Sequence, residues 1–168
     1  MSDHLVLISG SSATGKSASL RDIKNQEGVI YLNCESGKKL PFKNKFKKMV
    51  VTDPMQVLAA FDQAEQMPDI HTIVIDTLTF LMDMYESNYV LGSSNTMQGW
   101  SDYAQFFKSL MQQKVAASTK TIIILAHTSF KLNESDPNNM VLECKVPVKG
   151  ALQNQGIEAY FSTEVSTK

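Results

Sequence analysis

The octet Gly10-Ser11-Ser12-Ala13-Thr14-Gly15-Lys16-Ser17 constrains this chain more than any other stretch. It satisfies G-x-x-x-x-G-K-[ST], follows the apolar run Leu5 to Ile8 and precedes a helix-compatible segment. Backbone N–H groups curl around a phosphate only where glycine permits a tight turn and close approach, which Gly10 and Gly15 supply. Lys16 is then expected to reach the β- and γ-phosphates and Ser17 to place its hydroxyl on Mg²⁺. The backbone from Ser11 through Ser12, Ala13 and Thr14 to Ala18 is expected to line the phosphates, with the positive end of the following helix behind it. The ligand such a loop predicts is a nucleoside triphosphate.

Downstream, the chain reads as alternating helices and strands. A helix is expected over Lys16 to Gln26 and a buried strand over Val29 to Asn33, broken by Cys34-Glu35-Ser36-Gly37. Lys38 to Lys48 holds six lysines with Leu40, Phe42 and Phe46 between them and no acid. Two readings stand here, a solvated basic loop or a polyanion-contacting patch with interleaved aromatics. Asp53 as N-cap and Pro54 at the first helical position open a helix to about Met67. Thr72 to Asp76 (TIVID) is a continuously apolar strand ending in a carboxylate, the pattern of a Walker B element, so Asp76 is expected to hold Mg²⁺ through its water shell.

A helix over Thr77 to Glu86, a mobile loop over about 87–99 and a long amphipathic helix from Trp100 to Ala117 come next. Thr121 to Ala126 (TIIILA) is a further buried strand. It delivers His127 to the carboxyl edge of the sheet, where open α/β sheets bind ligands, and a γ-phosphate-sensing role is expected there. A second mobile loop is expected over about 129–141, then a strand or hairpin over Val141 to Val148 and a last strand over Ile157 to Val165. This alternation predicts one α/β domain over residues 1–168, with a mostly parallel central sheet and helices on both faces.

Composition narrows the partners. The formal net charge is −1, so no whole-chain field argues for nucleic acid or membrane. No apolar run approaches the roughly 20 residues of a membrane span. The cysteines, Cys34 and Cys144, lack metal-ligand spacing and no secretory signal precedes them, so a cytoplasmic setting is expected.

A phosphate loop, VIYLNCES placing Glu35, IVIDT ending near Asp76 and LAHTS presenting His127 together resemble the RecA-like branch of P-loop ATPases over nearly the whole chain. The resemblance implies an ATPase in which Glu35 is the general base that polarises the attacking water and His127 reads the γ-phosphate. VPVKGALQNQGIEAYFS is similar to the family segment after the second DNA-binding loop. More narrowly, MQGWSDYAQFFKSLMQQ resembles the small phage-encoded AAA-domain proteins of RecA type. Those act in recombination and single-strand annealing, which implies single-stranded DNA, homo-oligomers and, for a phage protein, the host cytoplasm. The chain stops soon after its last strand, so the terminal extensions by which larger recombinases form filaments are not expected.

Two alternatives stand beside a DNA-handling ATPase. A small-molecule or nucleotide kinase usually clamps phosphates with several arginines, and Arg21 is the sole arginine here. An annealing or scaffold protein would keep ATP only as a structural ligand. ATPases of the resembled kind commonly complete the site with a cation from a neighbouring subunit. With arginine scarce, Lys149 is the candidate finger and Lys145 the second choice.

Overall fold

The apolar runs become the strands of one sheet. The computed structural model describes residues 4–133, 141–154 and 156–167. Six strands, β1 (Leu5–Gly10), β2 (Val29–Asn33), β3 (Lys47–Val50), β4 (Thr72–Asp76), β5 (Thr121–His127) and β8 (Thr163–Thr167), form a sheet in the order β3-β2-β4-β5-β1-β8. Every pairing in it is parallel. A parallel sheet covered on both faces needs side chains that are apolar both ways, which is why VIYLN, TIVID and TIIILA read as unbroken apolar runs. All the strands therefore leave the sheet at the same edge. Because β5 pairs with both β1 and β4, His127 emerges between the phosphate loop and Asp76.

The two faces carry different cover. Leu32, Ile73, Ile75, Ile122 and Ile124 pack against α1 (Met55–Glu65), α2 (Leu78–Tyr85) and α3 (Thr96–Ser109). Phe61 and Phe107 are 1% and 0% exposed there, each contributing about 1.5–3 kcal/mol by burial. The opposite face, with Val29, Tyr31, Val74 and Leu125, is closed by Leu20 and Phe46, with Leu40 and Phe42 alongside. Helical cover thus exists on both faces, but the three α-helices all lie on one.

Several local expectations change. The helix expected over Lys16 to Gln26 is instead a tight 3₁₀ segment, Ser17–Asp22, followed by a second over Gln26–Gly28. Ser19 donates both its N–H and its hydroxyl to the Lys16 carbonyl, the local competition that weakens α-helix, and Asn25 at φ 53° turns the chain away. The N-cap of α1 is Pro54 rather than Asp53, whose Oδ1 accepts from the Met55 N–H at 2.9 Å just ahead of the helix. The expected mobile loop at 87–99 is mostly helical: a wider π-type turn runs Glu86–Val90, and α3 starts at Thr96, where Asn95 Oδ1 accepts from the Gln98 N–H at 3.1 Å. α3 is shorter than expected at its far end, passing into a π-type segment over Leu110–Val115.

Within the second expected loop, β6 (Ser129–Asn133) pairs antiparallel with β7 (Val141–Lys145), and 134–140 lie outside the described residues. The last expected strand begins late. Ile157–Tyr160 is a 3₁₀ turn, and only Thr163–Thr167 joins the sheet, beside β1. Among the described residues no helix is long and apolar enough to cross a membrane.

Candidate active site

The loop from Gly10 to Ser17 bends by placing Ala13 at φ 62° and Gly15 at φ 85°, so successive N–H groups form a concave anion nest. The last strand braces it from outside. Thr167 Oγ1 lies 2.6 Å from Thr14 Oγ1 and donates to the Ser9 carbonyl at 3.2 Å, while Ser9 donates to Glu164 at 3.2 Å. A Cβ on Gly10 would stand 2.0 Å from Thr167 Oγ1 and 2.9 Å from the Thr167 carbonyl oxygen, so glycine is required there by close approach. Lys16 is 5% exposed and donates to the Gly10 and Ser11 carbonyls at 3.0 and 2.6 Å. Burial pushes its ammonium below the ordinary lysine value, against the pull of Glu35 and Asp76.

A cavity of about 290 Å³ opens beside this nest, and its walls include Gly15, Lys16, Ser17, Ala18, Glu35, Asp76 and His127. The sequence-expected site residues of four separate segments thus meet in one place. Ser17 donates to Asp76 Oδ2 at 2.9 Å, and Tyr31 donates to the same oxygen. Asp76 is 2% exposed and its Oδ1 has no hydrogen-bond partner among the described residues. Burial drives the Asp76 carboxyl above the usual aspartate value, opposed by the Tyr31 and Ser17 hydrogen bonds. The peptide between Asp76 and Thr77 is cis.

An orphaned, buried carboxylate oxygen beside a serine hydroxyl is the donor set a hard divalent cation takes, so the residues present fit Mg²⁺ held with phosphate and water oxygens. Among the described residues no cluster of three or more His, Cys, Asp or Glu forms, so an all-protein metal cage is not built here.

Glu35 lies two residues beyond the end of β2, 11% exposed at its side chain. His127 Nε2 sits 3.2 Å from Glu35 Oε1, and Lys38 Nζ lies 3.4 Å from Glu35 Oε2. The His127 N–H donates to Thr79 Oγ1 at 2.9 Å, and its ring meets Phe80 edge-on at 5.4 Å between centroids. The end of β5 is thereby tied to the start of α2.

Lys149 lies apart from this cavity. Its ammonium donates to Glu86 Oε2 at 2.7 Å and its N–H to the Tyr103 hydroxyl at 3.2 Å, so acting on a neighbouring chain's nucleotide requires it to exchange Glu86 for phosphate. Lys145 ends β7, and its side chain lies outside the described ones. Arg21 is exposed beside Asp22 at 3.8 Å.

Tyr31 and the wall formed by Lys38, Lys39, Leu40 and Pro41 were not identified as site residues from the sequence. For Tyr31 a signal existed: its register partner on β4 is Val74, two residues before Asp76, which puts the phenol and the carboxylate on one face. The lysine run itself behaves as neither alternative alone. Phe46 is core, 7% exposed and stacked on Tyr31 at 6.0 Å, and Phe42 is half-buried with its ring edge-on to Phe46 at 6.0 Å. Lys38 and Lys39 line the cavity wall, Lys45 and Lys47 pair with Glu27 at 3.6 Å and Asp69 at 2.8 Å, and Lys43 and Lys48 are exposed.

A six-stranded parallel sheet with this loop at its carboxyl edge defines an α/β P-loop NTPase of RecA-like fold. The chain belongs to the AAA domain family, whose model matches residues 3–155. Membership implies nucleotide binding at the loop and places the chain in an ATPase class. A comparison with curated proteins gave no match.

Proposed function

We propose that this chain hydrolyses Mg·ATP and acts, as a homo-oligomer, on single-stranded DNA in recombination, annealing or repair, in the phage setting its sequence resembles. The observation that carries the hydrolytic part is the convergence of Lys16, Ser17, Asp76, Glu35 and His127 on one cavity. In this reading the nest and Lys16 hold the triphosphate, and Ser17 and Asp76 hold Mg²⁺. When bound, the metal neutralises charge on the phosphate oxygens. Glu35 takes a proton from water as the water oxygen bonds to the γ-phosphorus. The bond from that phosphorus to the β,γ-bridging oxygen breaks, and ADP leaves with its electrons. His127, which touches Glu35 and is tied through Thr79 to α2, reports γ-phosphate loss to β6.

Support for the DNA part is the resemblance of the Met97 to Gln113 tract together with the exposed Lys43, Lys45 and Lys48. Lys149 enters as a candidate cation across the subunit interface. The test is phosphate release from ATP with and without single-stranded DNA at two salt concentrations. Turnover that rises with DNA supports the reading, while ATP bound without any release of phosphate returns the chain to a scaffold. Neutralising Lys43, Lys45 and Lys48 is expected to flatten the slope of log affinity against log salt by about two.

A further inference from the structure

The four residues after Cys34 form a tight turn whose purpose is visible in what it aims. Ser36 at φ 53° and Gly37 at φ 79° both take left-handed backbone, and the Lys38 N–H donates to the Glu35 carbonyl at 3.1 Å. Both central residues at positive φ make this a type I′ turn, which reverses the chain within two residues. Asn33, 7% exposed, clamps both sides of it. Its Oδ1 accepts from the Glu35 N–H at 2.9 Å, and its Nδ2 donates to the Lys38 carbonyl at 2.9 Å. The backbone of Lys38 is therefore fixed over the cavity. Its side chain is not packed: it is 71% exposed and is drawn toward Glu35 by charge across 3.4 Å.

The other candidate cations differ. Lys16 is buried on two loop carbonyls, and Lys149 and Arg21 lie elsewhere, each beside an acid. Lys39 lines the same wall but forms no ion pair among the described residues. Among the described residues, Lys38 alone combines a fixed backbone, an extendable side chain and an ion pair to the carboxylate that faces the reaction.

We propose that Lys38 is a partner-switching cation acting within its own chain: it neutralises Glu35 when the site lacks a triphosphate and moves to the γ-phosphate when one binds. The proposal rests on the reading of Glu35 as general base. A terminal phosphate carries more negative charge than one carboxylate and competes for the same ammonium. The substrate itself thereby releases Glu35 from its restraint, and the same ammonium then stabilises charge on the transferred phosphoryl group. ADP lacks the γ-phosphate and leaves Lys38 on Glu35.

The experiment measures Mg·ATP and Mg·ADP affinities of the full chain by calorimetry, with phosphate release alongside. Lys38→Met is expected to weaken ATP about 10- to 100-fold and ADP less than about threefold, and to lower kcat at least about tenfold, with Lys38→Arg restoring most of it. Glu35→Gln removes the competitor, so it is expected to bind ATP more tightly than wild type, and that gain should vanish in the double variant. Lys24→Met, which removes the same charge from an exposed position outside the site, should leave the ATP-to-ADP ratio unchanged, and Lys38→Gln repeats the test in a polar variant. Equal weakening of both nucleotides, an unaltered kcat, or a ratio moved as much by Lys24→Met overturns the proposal. If Glu35→Gln instead turns over at the wild-type rate, the base reading falls, while the ATP-to-ADP ratio of Lys38→Met still decides whether Lys38 reaches the γ-phosphate.

Discussion

Tyr31 donates its phenolic hydrogen to Asp76 Oδ2, the oxygen that Ser17 also uses, and so leaves Oδ1 a buried acceptor with no partner among the described residues. The phenol is held neutral, since burial first and the Asp76 charge second push its ionisation well above the usual tyrosine range. The carboxylate is thus oriented before any ligand arrives, at a cost in stability that a cation would remove.

That cost gives the first prediction. Asp76→Asn removes the buried charge and is expected to raise the melting temperature of the nucleotide-free chain by about 2–4 °C, taking roughly 1 kcal/mol for the relieved carboxylate. The added stabilisation by Mg²⁺ with ATP should disappear in the same variant. Tyr31→Phe is expected to move the other way, losing about 1–2 kcal/mol and weakening the Mg²⁺ dependence of turnover. Thermal melts with and without Mg·ATP check both, and an Asp76→Asn chain that melts earlier than wild type overturns the account.

The two loop glycines should fail for different reasons. Gly15 has open space around it and only its φ of 85° to defend, so Gly15→Ala should cost about 1 kcal/mol of backbone strain with the sheet intact. Gly10→Ala drives a methyl into Thr167 and should detach β8 from β1. Amide exchange along Thr163–Thr167 reads this, and adding Thr167→Ala should rescue it only in part, because the Thr167 carbonyl stays 2.9 Å from the new methyl.

Glu65 ends α1 and accepts from Ser118 and from both the hydroxyl and the N–H of Thr119. Burial raises its carboxyl, but these hydrogen bonds outweigh it and hold the group below the usual glutamate value. A depressed carboxyl stabilises the fold above its unfolded value of about 4.3, and the contribution is lost as pH falls through the folded one. Glu65→Gln should therefore unfold at lower urea than wild type at neutral pH, with the two converging in acid. A gap that stays constant down to about pH 2 would exclude the ionised carboxylate as the source.

For Lys149, the ion pair with Glu86 and a role across an interface make separable demands. Lys149→Ala is expected to lose about 1 kcal/mol of stability with the half-exposed pair. If the cation also serves a neighbouring chain, the rise of turnover with protein concentration should flatten while the dilute rate holds. A concentration dependence identical to wild type assigns Lys149 to the fold alone.

Chemistry written in contiguous residues was legible in the sequence. The loop, the strand before it, and the runs ending at Asn33, Asp76 and His127 each carry their own pattern, and parallel topology then brings their ends together. What was not legible depended on distant partners. Phe42 and Phe46 look like a stacking surface until Tyr31 and Leu20 are seen beneath them. The segment 87–99 looks like a loop because its turn-forming residues hide two tertiary contacts. The Tyr89 hydroxyl donates to Asp53 Oδ2 at 2.7 Å, and a Cβ on Gly99 would come within 3.2 Å of the Val90 Cα. Lys38 required a turn whose direction depends on the side chain of Asn33, which no local pattern announces.

The hydroxyl of Thr167 that steadies Thr14 sets an order of events during synthesis. The ribosome makes the phosphate loop before the strand that braces it, with 153 positions separating the two threonines. A nascent chain holds the motif long before it holds the cradle, so it should gain its grip on nucleotide in a late step. An emerging chain that still lacks Thr163–Thr167 should be spared from sequestering ATP, and a folded chain in which β8 is detached from β1 should release nucleotide before its core gives way.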